Sequence, residues 1–274
     1  MIPKNYITEW GQTTPWENRI YLEQDLIISR LLVEMFNHPE ISKKLAFRGG
    51  TALYKLFLST PARYSEDIDL VQTIAEPIGN LLGTIKKIVN PILGKPKWKL
   101  NEGRATLIYR FTPEETLASS AKIKIEINTR EHFSIFGLKQ KNFSINSRWF
   151  NGSTKIQTYE FNELMATKLR ALYQRKKSRD LFDLWLASQQ SDLNIEQTIM
   201  AFQKYMEHEN QTITRAMFEE NLANKMQSYL FTADISPILS SRIKWDIAAA
   251  ANQIKKEYLS LLPGDPWKGN HDFA

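Results

Sequence analysis

The sequence predicts an α/β domain over residues 1–160 and an all-helical domain over 161–274. Three observations carry that reading. Ala121 to Asn128 alternates strictly, with Ile123, Ile125 and Ile127 on one side and Lys122, Lys124, Glu126 and Asn128 on the other, as a half-buried strand requires. Ala46-Phe47-Arg48 is a short apolar run that enters a glycine pair and then a helical pattern. After Phe161 strand-like alternation disappears and helical periods follow one another.

Taken in order, Glu17 to Phe36 places Ile20, Leu22, Leu26, Ile27, Leu31, Val33 and Met35 at a helical period. Pro39 breaks it, and a short helix is expected over Ile41 to Leu45. Thr51 to Leu58 reads as a helix that Pro61 limits. Asp67 to Val71 is strand-like, and Ile78 to Leu93 is an amphipathic helix ending near Pro91 or Gly94. Strands are expected at Trp98 to Leu100, Ala105 to Phe111 and Ala121 to Asn128, then a β-rich connection with strand character at Thr154 to Thr158. Helices are expected over Glu163 to Leu186, Ile195 to Glu207, Arg215 to Tyr229 and Ile243 to Leu262, and the tail from Pro263 to Ala274 is expected to be loosely held.

The whole chain, 274 residues with 42% hydrophobic and 24% charged side chains, has the composition of a soluble globular protein able to bury a core. No apolar run suits a membrane span and the N-terminus does not resemble a signal peptide, so no membrane partner is expected. The absence of cysteine excludes disulfides and thiolate chemistry and fits a cytoplasmic location. The formal charge of +6 gathers at Lys86-Lys87, Lys95 to Lys99, Lys139 to Lys141 and Arg170 to Arg179, patches that attract phosphate backbones or are simply solvated.

Four elements carry chemistry. Gly49-Gly50 lets the backbone turn tightly before a helix, whose free N–H groups and positive dipole end favour phosphate, and Thr51 adds a hydroxyl. The plain alternative is a structural turn. Asp67 and Asp69, two apart on a strand, share a face and can hold a hard divalent cation, with Ile68 and Leu70 arguing for a half-buried strand over a loop. Glu126 supplies a third acid that would complete a metal site or accept a hydroxyl proton; alone it reads as a surface partner of Lys124. In Lys168 to Asp183, one continuous helix would align Lys168, Arg175 and Arg179 as a phosphate-neutralising stripe. Alternatively Ser178 caps a new helix, Asp180 lies in its first turn, and Arg179 pairs locally with Asp180. The four histidines stand at no metal-ligand spacing, and no hydrolase elbow or P-loop occurs. Trp98, Trp149 and Trp185 read as packing residues.

Phe47-Arg48-Gly49-Gly50-Thr51-Ala52-Leu53, Arg63-Tyr64-Ser65-Glu66-Asp67-Ile68-Asp69-Leu70, and Lys168 to Asp183 with its Arg179-Asp180-x-x-Asp183 ending together resemble the AbiEii toxin family of nucleotidyltransferases, including its MenT-type members. The likeness spans roughly residues 20–190. It implies a polymerase-β-like nucleotidyltransferase core with a mixed sheet, a helical C-terminal region, and a bacterial toxin–antitoxin role. It further implies an NTP co-substrate, Mg²⁺ (or Mn²⁺), an RNA acceptor such as a tRNA 3′ end, and a cognate antitoxin. By position it makes Asp67 and Asp69 metal ligands and puts Gly49, Gly50, Arg63 and Ser65 at the triphosphate. Lys168 would touch phosphate, while Asp183 or Asp180 would complete the late acidic motif. Ser65 is then expected to face the γ-phosphate and to be open to inhibitory phosphorylation. A kinase-like NTP-binding regulator and a non-enzymatic nucleic-acid-binding module remain alternatives.

Overall fold

A computed structural model describes residues 2–58, 61–114 and 120–269. The chain forms two compact units, Met1–Tyr159 and Glu160–Ala274. The first begins with α1 (Lys4–Trp10), a short helix that the sequence reading does not anticipate, followed by α2 (Arg19–Phe36) and α3 (Pro39–Lys44). Then come β1 (Leu45–Arg48), α4 (Gly49–Leu56), β2 (Asp67–Gln72) and α5 (Gly79–Leu93). The remaining strands are β3 (Lys97–Asn101), β4 (Arg104–Phe111), β5 (Ala121–Asn128), β6 (Leu138–Asn146) and β7 (Asn151–Tyr159).

The seven strands make one mixed sheet in the order β3-β4-β5-β2-β1-β7-β6. Parallel pairing joins β2 to β5 and β1 to β7, and the other neighbours run antiparallel. The expected α/β class with a mixed sheet is therefore what forms. Ile123, Ile125 and Ile127 are fully buried, as the alternation requires, together with Ile68, Leu107 and Tyr109. Each buried isoleucine stabilises the unit by roughly 2–3 kcal/mol. α2 contributes Leu26, Ile27, Leu31 and Leu32 to this core, and α5 contributes Leu81, Ile85 and Val89. Gln24 on α2 donates to the Lys122 carbonyl at 2.9 Å and accepts from the Tyr64 hydroxyl at 2.9 Å, tying the helix to β5 and to the segment before β2. Pro91 lies inside α5, which runs on to Leu93.

The second unit is helical: α6 (Phe161–Gln174), α7 (Ser178–Ala187), α8 (Ile195–His208), α9 (Arg215–Met226), α10 (Tyr229–Thr232) and α11 (Ile247–Glu257). Phe182, Phe202 and Phe218 lie in its core, and Trp185 packs edge-on to Trp245 at 5.3 Å. Two long helices of the sequence reading are each divided. The 163–186 helix stops at Gln174 and restarts at Ser178, and the 215–229 helix stops at Met226 before α10. The start of the tail is held: Arg215 N donates to the Pro263 carbonyl, and Trp267 N donates to Glu219 at 2.8 Å. The loose-tail expectation fails over 263–269, because backbone groups there find partners; residues 270–274 lie outside the described residues. Among the described residues, no helix is long and apolar enough to cross a membrane.

Candidate active site

β1 leaves the sheet at Arg48 and the chain reverses at Gly49, whose φ of 81° suits glycine. A Cβ at Gly49 would stand 2.3 Å from Asp69 Oδ2, and a Cβ at Gly50 would stand 2.5 Å from an Arg63 guanidinium nitrogen and 3.1 Å from Ser65 Oγ. The glycine pair is thus pressed onto residues that lie well downstream in the chain. A side chain at Gly49 would drive the turn and β2 apart, and one at Gly50 would have to displace the end of the Arg63 side chain. Thr51 Oγ1 lies 2.5 Å from the Asp67 carbonyl oxygen and 2.8 Å from Ser65 Oγ, which joins the first turn of α4 to the start of β2. α4 follows an extended Arg48 with no side-chain cap, so its first N–H groups are not taken by a capping side chain.

Asp67 and Asp69 alternate with buried Ile68 and Leu70, so both carboxylates leave the same face of β2. Asp69 registers with Arg48 on one side and Glu126 on the other, while Asp67 registers with Lys124. Burial pushes the Asp69 carboxyl above the usual carboxylate range; Asp67 and Glu126 add to that, and Lys124 and Arg48 offset part of it. Lys124 Nζ sits 2.9 Å from Asp67 Oδ2 and 3.6 Å from Glu126 Oε2. Burial works against its charge, yet the hydrogen bond and field of Asp67 outweigh it and hold the ammonium above its ordinary value. Arg48 is anchored by Glu131 at 2.6 Å.

The sequence-predicted residues divide into three groups. Gly49, Gly50, Thr51, Ser65, Asp67 and Asp69 come together in the first unit as just described. Arg63 is also there, but it is only 2% exposed, donates to the Tyr64 carbonyl and stacks over the Tyr54 ring, so it supports the Gly50 backbone from beneath. Glu126 stands beside Asp69 in register, with its carboxylate turned to Arg104 at 3.4 Å and to Lys124. Among the described residues, no three His, Cys, Asp or Glu side chains gather at metal-ligand spacing.

The third group lies in the second unit, where a new helix does start at Ser178 with Asp180 in its first turn, as the second sequence alternative has it, but the cap and the ion pair of that alternative do not form. The helix is not continuous, so Lys168, Arg175 and Arg179 make no common stripe. Ser178 is the first residue of α7 and does not cap it; Lys177 holds the cap position. Arg179 pairs with Asp234 at 3.0 Å, not with Asp180. Arg175 grips Asp180 through two hydrogen bonds of 2.7 and 2.8 Å, and Lys168 Nζ meets Asp183 at 2.8 Å and Asp180 at 3.4 Å. Both aspartates are fully buried. Two residues that sequence reasoning did not place at the aspartates flank them directly, Lys124, read only as a partner of Glu126, and Arg48; the period-two rule applied to β1 and β5 would have found them.

A divalent cation fits the first-unit cluster by donor chemistry. Two hard carboxylates share one face of β2, and Gly49, having no side chain, lets the Asp69 carboxylate lie against the turn, where a Cβ would stand 2.3 Å from its Oδ2. A mixed sheet with a glycine turn facing a strand-borne aspartate pair defines a nucleotidyltransferase-like class. Residues 30–253 match the family described as nucleotidyl transferase AbiEii toxin, type IV TA system, and the chain belongs to this family of nucleotidyltransferase toxins. Its enzymes use a nucleoside triphosphate and a divalent metal. Among solved structures the chain is similar to MenT4, a nucleotidyltransferase toxin from Mycobacterium tuberculosis, at 17% identity over 95% of this chain and 90% of that one, with a TM-score of 0.62. It is also similar to JHP933 from Helicobacter pylori, at 18% identity over 89% and 92%, with a TM-score of 0.57. These two likenesses speak to fold. No curated protein matches the chain.

Proposed function

We propose that this nucleotidyltransferase moves a nucleoside monophosphate from an NTP onto the 3′-hydroxyl of an RNA, such as a tRNA end, in the presence of Mg²⁺ (or Mn²⁺), and that a cognate antitoxin restrains it. The observation that carries the reading is the closeness of Gly49 to Asp69: the turn suited to phosphate and the carboxylates suited to a cation occupy one place. The RNA 3′-oxygen attacks the α-phosphorus in line, a new O–P bond forms, the bond to the β-phosphate oxygen breaks, and pyrophosphate leaves. The first-turn N–H groups of α4 and the Ser65 hydroxyl hold the triphosphate, while buried Thr51, hydrogen-bonded to the Asp67 carbonyl and beside Ser65 Oγ, fixes them in place. Asp67 and Asp69 would hold the cation, which supplies charge neutralisation at the phosphates when bound. We assign the hydroxyl proton to Glu126, because Asp67 and Asp69 serve the cation. Acceleration comes mainly from positioning and from fixed charge.

Ser65 Oγ borders the Gly50 backbone, which supports the reading that phosphorylating it would block the triphosphate site. An unchanged intact mass after co-expression with an antitoxin would remove that part of the proposal. The activity itself is tested by incubating the protein with Mg²⁺, total RNA and each α-labelled NTP, with γ-labelled ATP in parallel. Label in RNA from an α-labelled NTP is the expected result. Label on protein from γ-labelled ATP alone would indicate a kinase, and RNA binding without label a binding module.

A further inference from the structure

The sheet face that bears Asp67 and Asp69 continues outward across three more strands. Register aligns Lys97 with Ile108 and Lys124, and Lys99 with Thr106 and Glu126; it also sets Arg110 opposite Lys122. The same rows run into β2 at Asp67 and Asp69. Because side chains alternate, Lys97, Lys99, Arg104, Arg110, Lys122 and Lys124 all stand on the aspartates' face, while Trp98, Leu107 and Ile125 stand on the other. All six except Lys124 are exposed, and Lys124 is half-buried. Glu126 is the single acid that β3, β4 and β5 contribute to this face. Among the described residues, no ion pair engages Lys97, Lys99, Arg110 or Lys122, unlike Lys168, Arg175 and Arg179, whose charges are matched by aspartates.

We propose that this basic sheet face is the platform on which the RNA acceptor lies, its backbone crossing β3, β4 and β5 so that the 3′ end reaches Asp67 and Asp69. The inference rests on the RNA reading above and gives it a location. Lys97 and Lys99, like Lys122 and Lys124, stand about 6.6 Å apart along their strands; Arg110 and Lys122 are about 4.8 Å apart across neighbouring strands, and Lys97 and Lys124 about twice that, on either side of Ile108, an array of point charges. Such an array holds a polyanionic backbone without reading its sequence. An acidic protein segment would need apolar anchors as well, and the half-buried Ile108 is the one large aliphatic side chain that β3 and β4 turn to this side. Lys124 ends the platform where it meets the carboxylates: it touches Asp67 on one side and continues the row of Lys97 on the other.

The test uses the full chain and a fluorescently labelled tRNA pool. A variant carrying Lys97→Ala, Lys99→Ala, Arg110→Ala and Lys122→Ala is compared with one carrying Lys139→Ala, Lys155→Ala, Lys204→Ala and Lys256→Ala, which removes the same charge from other surfaces. The platform variant should bind RNA about tenfold or more weakly, with the slope of log K against log salt shallower by about 0.7 for each phosphate that the protein no longer neutralises. Its binding of a fluorescent NTP and its thermal midpoint should stay at wild-type values, and the control should retain RNA affinity. If the wild type labels RNA and the platform variant binds RNA as tightly as wild type, the platform is wrong and the RNA reading stands. Equal weakening by both variants also overturns it, since net charge then suffices. A wild type that neither binds nor labels RNA overturns both readings together.

Discussion

Lys124 Nζ stands 2.9 Å from Asp67 Oδ2, an ammonium held against a carboxylate that the proposed mechanism gives to a metal ion. The lysine offsets part of the repulsion among Asp67, Asp69 and Glu126. A divalent cation must therefore compete with it. Lys124→Met should tighten Mn²⁺ binding in the absence of nucleotide by about two- to fivefold, the equivalent of the ~0.5–1 kcal/mol of a partly exposed ion pair. Isothermal titration with MnCl₂ reads this directly, and unchanged affinity would show that the lysine does not compete.

Gly49 answers two demands at once, a positive φ and contact with Asp69. Gly49→Ala should lower stability by about 1–2 kcal/mol through the strained backbone. It should cut transfer far more, by about 100-fold, because a small misplacement of reacting groups is costly. Gly50→Ala should be milder, since its new methyl meets the end of the Arg63 side chain. Initial rates beside urea melts separate the two effects. Equal loss of stability and activity in both variants would contradict the assignment.

Lys168 is buried with Asp180 and Asp183, and removing one partner of such a cluster leaves carboxylates uncompensated. Lys168→Ala should destabilise the protein by about 3–5 kcal/mol, visible as a large drop in melting temperature. If Lys168 acted only on phosphate, as its place in the sequence motif implies, the variant would melt like wild type and lose activity alone.

Lys225 donates to the carbonyls of Leu172 and Tyr173 at the last turn of α6, and burial brings its ammonium down to about 8, against a partial opposing pull from Asp180. The sign follows from linkage. Between about 8 and the ordinary lysine value the unfolded chain binds more protons than the folded one, so this group makes stability rise with pH across that window. Below it the whole of this cost is present. Wild type should gain on Lys225→Met as pH climbs from about 7.5 to about 10, measured by chemical denaturation; a parallel pair of curves would contradict it.

Much of the first unit was readable because its patterns have one physical cause each. Ile123, Ile125 and Ile127 alternate because a single face is buried, and Gly49-Gly50 are glycines because nothing larger fits against Asp69 and Arg63. The break after Gln174 was legible only as one of two alternatives, since Arg175-Lys176-Lys177 are good helix formers while Ser178 also suits a helix start. It coincides with a tertiary demand, Arg175 turning to the buried Asp180. The held start of the tail was hidden, because backbone groups at Pro263 and Trp267 make the contacts and leave no trace in side-chain pattern. Lys124 was visible only as a partner of Glu126; its closer contact with Asp67 depends on β2 pairing in parallel with β5.

The central claim is that Asp67 and Asp69, beside the Gly49–Gly50 turn, carry nucleotidyl transfer. The most direct measurement is the initial rate at which purified wild type, Asp67→Ala and Asp69→Ala incorporate α-phosphate label into RNA with Mg²⁺, alongside their far-UV circular dichroism melts. Transfer by wild type alone, with folded variants that do not label RNA, is the predicted result. A folded Asp67→Ala or Asp69→Ala that labels RNA at near wild-type rate would contradict the account.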